Sequence, residues 1–261
     1  MSQLISRNQI QYFSKLNQKK YRRQYGRYLI SGLNSIRSAL EDTECAWEYL
    51  LLREDRRSLL KHLPLQPKEE HILIVQERDF RRINREEHPQ GIALVAVRPD
   101  TDFKRWRAGN TVLYLDRVND PGNLGTIIRT ACWFGINHLL LSPDCADPFN
   151  PKVVRASTGY VAKIHMAENV TRQHLSILKE KESFYLFGTA VENGEPLTHF
   201  HRQRHRKKMI LLGSEAHGLE ESLLKMCQEI ITIPRTGFGE SLNLAVSAGI
   251  IMYHFQIAEE T

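Results

Sequence analysis

Three segments of this chain gather small, amide-bearing and charged residues: DRVNDPGNLGTIIRTA (116–131), LLGSEAHGLEE (211–221) and IPRTGFGESLNLAVSAG (233–249). In the first, Pro121, Gly122 and Asn123 read as a turn, and Gly125 lets another backbone come close. Arg129 follows one helical turn later. In the second, Gly213 follows an apolar run, Glu215 places a carboxylate in a loop and Gly218 precedes a helix. In the third, a Gly-rich stretch leads to Ser241, which can cap a helix, with Asn243 close behind. Taken singly, Gly, Asn and Ser residues also serve ordinary turns and caps. Ser241 reads as a cap rather than a nucleophile: GESLN fails the GxSxG elbow and no matching Asp/His order accompanies it. GFGES lacks the full GxGxxG and the Walker lysine. His199, His201 and His205 lie in HFHRQRHRKK (199–208) among five cations and no carboxylate. That disfavours a bound divalent metal and favours a solvated or RNA-facing basic loop.

The elements that must position these segments alternate. Apolar runs at 111–116, 138–142, 184–190, 209–214 and 229–234 read as strands. Helical patterns are expected at 124–134, 151–157, 171–182, 219–227 and 241–256. Short apolar strands between helices imply a mainly parallel sheet covered on both faces, whose ligands bind beyond the carboxyl ends of the strands. The first hundred residues read as a smaller α/β unit. Its helices are expected at 8–24, 31–40 and 77–87, and its strands at 47–53, 71–75 and 91–97. Polar residues 98–110 read as a linker.

The chain has 261 residues, 41% hydrophobic and 25% charged, with a formal net charge of +6. The length favours two domains, and the composition excludes wholesale disorder. No apolar run is long enough for a membrane span, and the polar start lacks a signal-peptide core. Cys45, Cys132, Cys145 and Cys227 form no CxxC pair, against a zinc ribbon or disulfide framework and for a reducing cytoplasm. Residues 1–110 hold 21 Lys+Arg against 14 Asp+Glu, whereas 111–261 hold 15 against 16. The first 40 residues carry eight cations and no carboxylate, interleaved with Tyr12, Phe13, Tyr21, Tyr25 and Tyr28. Such a segment can neutralise phosphates and stack on bases, with Lys19, Lys20, Arg22 and Arg23 as candidate RNA contacts. The alternative is a solvated basic helix whose aromatics pack inward.

Together, NDPGNLGTIIRTA (119–131), LLGSEAHGL (211–219) and ITIPRTGFGESLNLAVSAGI (231–250) resemble, in order and spacing, the three motifs of the SpoU/TrmH-type RNA 2′-O-ribose methyltransferases of the SPOUT superfamily. HPQGIALVAV (88–97) resembles that family's junction between domains. The resemblance implies a trefoil-knotted α/β methyltransferase domain over 107–261, preceded by an RNA-binding α/β domain with its linker over 1–106. It also implies a homodimer, S-adenosylmethionine as methyl donor and no metal. It places the cofactor at Thr189, Gly213, Ile233, Leu242 and Asn243, and the reacting groups among Asn123, Arg129, Glu215, Ser241 and Asn243. Arg129 would act as a base or as a phosphate-binding electrostatic group. Arg235 stands where the family often has Met, and Ala216 where Gly is common. The N-terminal domain resembles that of the ribosomal-RNA branch, favouring rRNA over tRNA. The competing readings are a non-catalytic RNA-binding or ribosome-assembly factor that keeps the fold, and another nucleotide-dependent α/β enzyme.

Overall fold

The structure is a computed structural model that describes residues 3–41, 45–200 and 206–257. His201 and His205 of the basic loop lie outside the described residues. The chain forms two compact units. One holds the described residues up to Pro99 together with Asp147–Lys163; the other holds Asp100–Ala146 and the described residues from Ile164 onward.

The first unit is built from β1 (Gln3–Leu4), α1 (Arg7–Lys15), α2 (Lys19–Tyr25), β2 (Arg27–Ser31), α3 (Leu33–Leu40), β3 (Trp47–Arg53), β4 (Ile72–Val75), α4 (Glu77–Ile83) and β5 (Ile92–Val97). Its five-stranded sheet has the order β1-β4-β3-β5-β2, with β5 antiparallel to both neighbours. Alternate strand residues Leu51, Leu73, Val75, Ala93 and Val95 pack on Ile10 and Phe13 of α1 and on Phe80 and Ile83 of α4. The helix expected over 8–24 divides in two. Ser6 opens α1 with a reciprocal capping box to Gln9. Asn17 then breaks the run, its amide donating to Ile83 O at 2.7 Å.

The second unit begins with β6 (Thr111–Asp116), α5 (Pro121–Trp133) and β7 (His138–Leu141). The chain next contributes α6 (Pro151–Ala156) to the first unit. It returns through β8 (His165–Ala167), α7 (Arg172–Lys181), β9 (Tyr185–Thr189), β10 (Glu195–Pro196), β11 (Lys208–Gly213), α8 (Glu221–Leu224), β12 (Glu229–Thr232) and α9 (Leu244–Gln256). The strands form one wholly parallel sheet in the order β10-β12-β9-β11-β6-β7-β8, as the alternating pattern led us to expect. Val112, Tyr114, Leu186, Met209 and Leu211 face Leu175 and Leu178 of α7. On the opposite face of β9, Phe187 meets Phe255 of α9 at 4.9 Å between ring centroids. Each face thus removes apolar area from water at roughly 25 cal/mol per Å².

Residues 98–110 are not a bare linker. Phe103, Trp106 and Ala108 pack against the second unit's core, and the Trp106 indole donates to His165 O at 2.9 Å. The segment lacks a strand or helix period because its apolar residues fill a surface rather than line an element. The excursion over 147–163 explains a further departure. Arg22 is 2% exposed, and its guanidinium is committed to Asp147 Oδ2 at 2.5 and 3.1 Å and to Leu16 O at 2.8 Å. Its charge is satisfied internally, so Arg22 is withdrawn from the candidate RNA contacts.

Candidate active site

The three motif segments leave the carboxyl ends of β6, β11 and β12, with β9 lying between β11 and β12. β11 lies between β6 and β9, with Gly213 level with Asp116 and Leu211 level with Gly188. β12 continues the row on the other side of β9, with Ile231 level with Thr189. The carboxyl ends of β6, β9, β11 and β12 therefore share a rim, where ligands of such sheets are held.

Local sequence sets the position of each polar group. Asp120 caps α5 by accepting from Asn123 N at 2.7 Å, and Pro121 fills the first helical position. Pro121–Asn123 are therefore the first turn of α5 rather than a turn before it. Asn243, not Ser241, caps α9: its Oδ1 accepts from Ala245 N at 2.9 Å and Val246 N at 3.3 Å. That use of Oδ1 fixes the orientation of the Asn243 amide. Its Nδ2 must donate, and does so to Asn123 Oδ1 at 3.0 Å. The Asn123 amide is then fixed in turn, and its Nδ2 donates to Glu215 Oε1. One chain of hydrogen bonds thus ties all three segments together.

Glu215 sits in a loop folded tightly against its strand. Gly218 N donates to Ser214 O at 2.8 Å, and a Cβ added at Gly213 would lie 2.0 Å from the Gly218 carbonyl carbon. Only glycine permits that approach. Buried Asp116 at the end of β6 accepts from Glu220 N at 3.3 Å and anchors the far side of this loop.

Beside the Asn123–Glu215–Asn243 cluster lies a cavity of 580 Å³, lined by Thr189, Gly213, Glu215, Ile233, Ser241 and Leu242 among others. Its size suits a nucleoside-bearing ligand. The Thr189 hydroxyl is already donated to Leu211 O at 2.9 Å. Thr189 and Gly213 consequently face a ligand chiefly through main-chain groups. Asn243 meets the cluster rather than lining the cavity. Arg129 is exposed on α5 and makes no hydrogen bond or ion pair among the described residues. The structure does not join it to Asn123, six residues earlier on the same helix. Burial pushes the Cys227 thiol up to about 12 and Cys45 to about 11, which makes neither a ready nucleophile. Among the described residues no group of three or more His, Cys, Asp or Glu is placed to hold a metal ion.

Lys19, Lys20 and Arg23 are exposed on α2 of the first unit. Phe13 and Tyr28 are buried, and Tyr21 stacks on Tyr25 while Lys15 and Lys20 sit over its ring. Most of the interleaved aromatics therefore build the core.

A parallel sheet with a ligand-sized cavity at its carboxyl rim is the arrangement of nucleotide- and cofactor-binding α/β proteins. The comparisons make the class specific. A sequence model of the SpoU rRNA Methylase family matches residues 110–253, and one of an MRM3-like substrate binding domain matches residues 7–94. The chain belongs to the SpoU rRNA Methylase family. It is 31% identical over 244 residues to the 23S rRNA (guanosine(2553)-2′-O)-methyltransferase RlmP of Bacillus subtilis, covering 94% of each chain. A TrmH-family protein from Porphyromonas gingivalis superposes with a TM-score of 0.83 at 28% identity, covering 97% of this chain and 98% of that one. An AdoMet-bound rRNA methyltransferase from Sinorhizobium meliloti superposes with a TM-score of 0.79 at 25% identity, covering 97% of each.

Proposed function

We propose that this protein methylates a ribose 2′-hydroxyl of ribosomal RNA with S-adenosylmethionine as donor. The observation that carries the proposal is the single hydrogen-bonded chain Glu215–Asn123–Asn243 beside a cavity at the carboxyl ends of the strands. Family membership and the 23S rRNA specificity of the Bacillus subtilis relative support the RNA class.

Thr189, Gly213, Ile233 and Leu242 would hold the cofactor, which supplies an electrophilic methyl group. Asn123 and Asn243, locked by cap and carboxylate, orient the acceptor ribose. Such alignment contributes several kcal/mol, up to roughly 7–11 in favourable cases. Glu215 holds the Asn123 amide in its working orientation, and Ser241 at the cavity wall offers a hydroxyl to either ligand. Arg129 carries a planar, delocalised cation whose fork of N–H donors matches phosphate geometry. It binds an RNA phosphate beside the acceptor and lowers the hydroxyl's pKa by its charge. Lys19, Lys20 and Arg23 supply phosphate contacts from the first unit as an RNA-binding domain, and the second unit forms the trefoil-knotted catalytic domain.

The working form is a homodimer. Val246, Ile250 and Tyr253 of α9 and its C-cap Ile257 form an exposed apolar stripe at helical spacing. Trp133 of α5, 84% exposed, adds to it, and Phe134 meets Tyr253 edge-on at 6.1 Å. Contiguous exposed apolar residues of this kind suit association with a second copy. Arg129 lies one turn from Trp133 on the same side of α5, so pairing through this face brings it towards the joint. The rRNA substrate fits a cytoplasmic location.

Transfer of labelled methyl to total rRNA in the presence of chelator tests the reading. Incorporation into nuclease-resistant 2′-O-methylated dinucleotides supports it. RNA binding without incorporation would favour the non-catalytic assembly factor.

A further inference from the structure

Phe238 is 109% exposed, the most exposed large apolar residue among those described. It stands between Gly237 and Gly239, and a Cβ on either would meet nothing within 4 Å. Gly239 has φ +123°, a conformation that side chains other than glycine's rarely adopt. This tip contributes little to folding: two glycines add chain entropy to be lost, and the ring buries no area. The loop is nonetheless braced, because Arg235 donates from Nη1 to Gly239 O across its base. Gly237, Phe238 and Gly239 all stand on the lining of the cavity, and the full exposure of the Phe238 ring leaves it open at the mouth to a ligand arriving from solvent. Phe238 lies five residues before Asn243, at most about 17 Å of extended chain from the cluster that receives the ribose. An exposed aromatic tip beside a guanidinium matches the way unpaired bases are held, by stacking with a nearby phosphate contact.

We propose that Phe238, presented by the Arg235-braced loop at the cavity mouth, stacks on an unpaired base of the RNA strand at or next to the acceptor nucleotide. The proposal rests on the RNA-methylating reading above and adds the group that reads the strand beside the reacting ribose. Arg235 and Glu240 leave the loop without net charge, so the attraction is stacking rather than bulk electrostatics.

The test uses the full chain with Phe238→Ala and Phe238→Trp. Single-stranded oligoadenylate should quench the added indole fluorescence of Phe238→Trp, and S-adenosylmethionine alone should not. Phe238→Ala should raise the KM for rRNA at least about five-fold, by a factor that is the same at low and high salt. Phe238→Trp should retain wild-type KM. Quenching by the cofactor alone would overturn the proposal in favour of a cofactor lid. Conversion of Phe238→Ala to a monomer in sedimentation would overturn it in favour of a contact between copies. Unchanged KM with no quenching by oligoadenylate would overturn it outright. The quenching is read without turnover. Absence of methyl transfer by the wild type, with quenching intact, would therefore overturn only the enzymatic reading and support the base contact.

Discussion

Asn243 donates from Nδ2 to Asn123 Oδ1 at 3.0 Å, joining residues 120 positions apart. The same Asn243 side chain caps α9 through Oδ1. One residue therefore sets both where the last helix begins and which way the Asn123 amide faces. The two duties are separable by substitution. Asn243→Asp keeps an excellent cap but sets a carboxylate oxygen against Asn123 Oδ1. It should hold thermal stability near wild type while removing most methyl transfer. Asn243→Ala should lose about 1 kcal/mol of stability as well as activity. Thermal melts beside rRNA methylation assays check both, and full activity in Asn243→Asp would show that Asn243 is only a cap.

Arg129→Ala should leave stability within about 0.5 kcal/mol, since the residue is exposed and makes no hydrogen bond or ion pair among the described residues. Methyl transfer should fall by at least tenfold, with cofactor affinity unchanged by calorimetry. A rate within twofold of wild type would leave Arg129 without a part in the reaction.

The basic face of the first unit should behave as two kinds of charge. Arg22→Ala strands buried Asp147 and should cost about 3–5 kcal/mol. Arg22→Met with Asp147→Leu should recover much of that loss. Replacing Lys19, Lys20 and Arg23 by Gln should lower the melt far less than Arg22→Ala, since all three are exposed. It should weaken RNA binding and flatten its salt dependence by roughly 0.7 log units per lost single-strand phosphate contact. Titrating RNA at several salt concentrations distinguishes the two sets.

Ile250→Asp with Tyr253→Asp should yield a monomer by sedimentation, because two carboxylates would have to lose water on association. The variant should remain folded, since both positions are exposed in the single chain. Dimers persisting at micromolar concentration would move the association surface elsewhere.

His138 begins β7 and stacks on His165 at 5.3 Å between ring centroids. Burial first, and the neighbouring His165 second, lower its pKa below the usual value of 6.5. The folded protein therefore takes up its proton later than the unfolded chain as pH falls. The stability from neutral His138 is complete above about pH 6.5 and declines from there down to the folded pKa. Thermal midpoints measured between pH 8 and 5 should fall over that window, and His138→Gln should reduce the fall.

Apolar periodicity alone located the seven-strand sheet's principal strands and the helices between them, because burial on both faces demands near-continuous apolar strands. The order and spacing of the three polar segments carried the family resemblance and singled out Asn123, Glu215 and Asn243. Short elements escaped notice: β1, β8 and β10 have only two or three residues each and no room for a period. Helix starts also shifted, since Asp120 and Asn243 are as able to cap as the residues near them and the choice depends on the backbone around each. Tertiary structure decided what composition cannot. It buried Arg22 against an aspartate 125 residues away and folded Phe103 and Trp106 onto a core. It also turned three separate loops into one hydrogen-bonded site. A local pattern records which side chains prefer water or apolar contact, but a cation's partner and an amide's orientation depend on residues that meet only when distant strands pair.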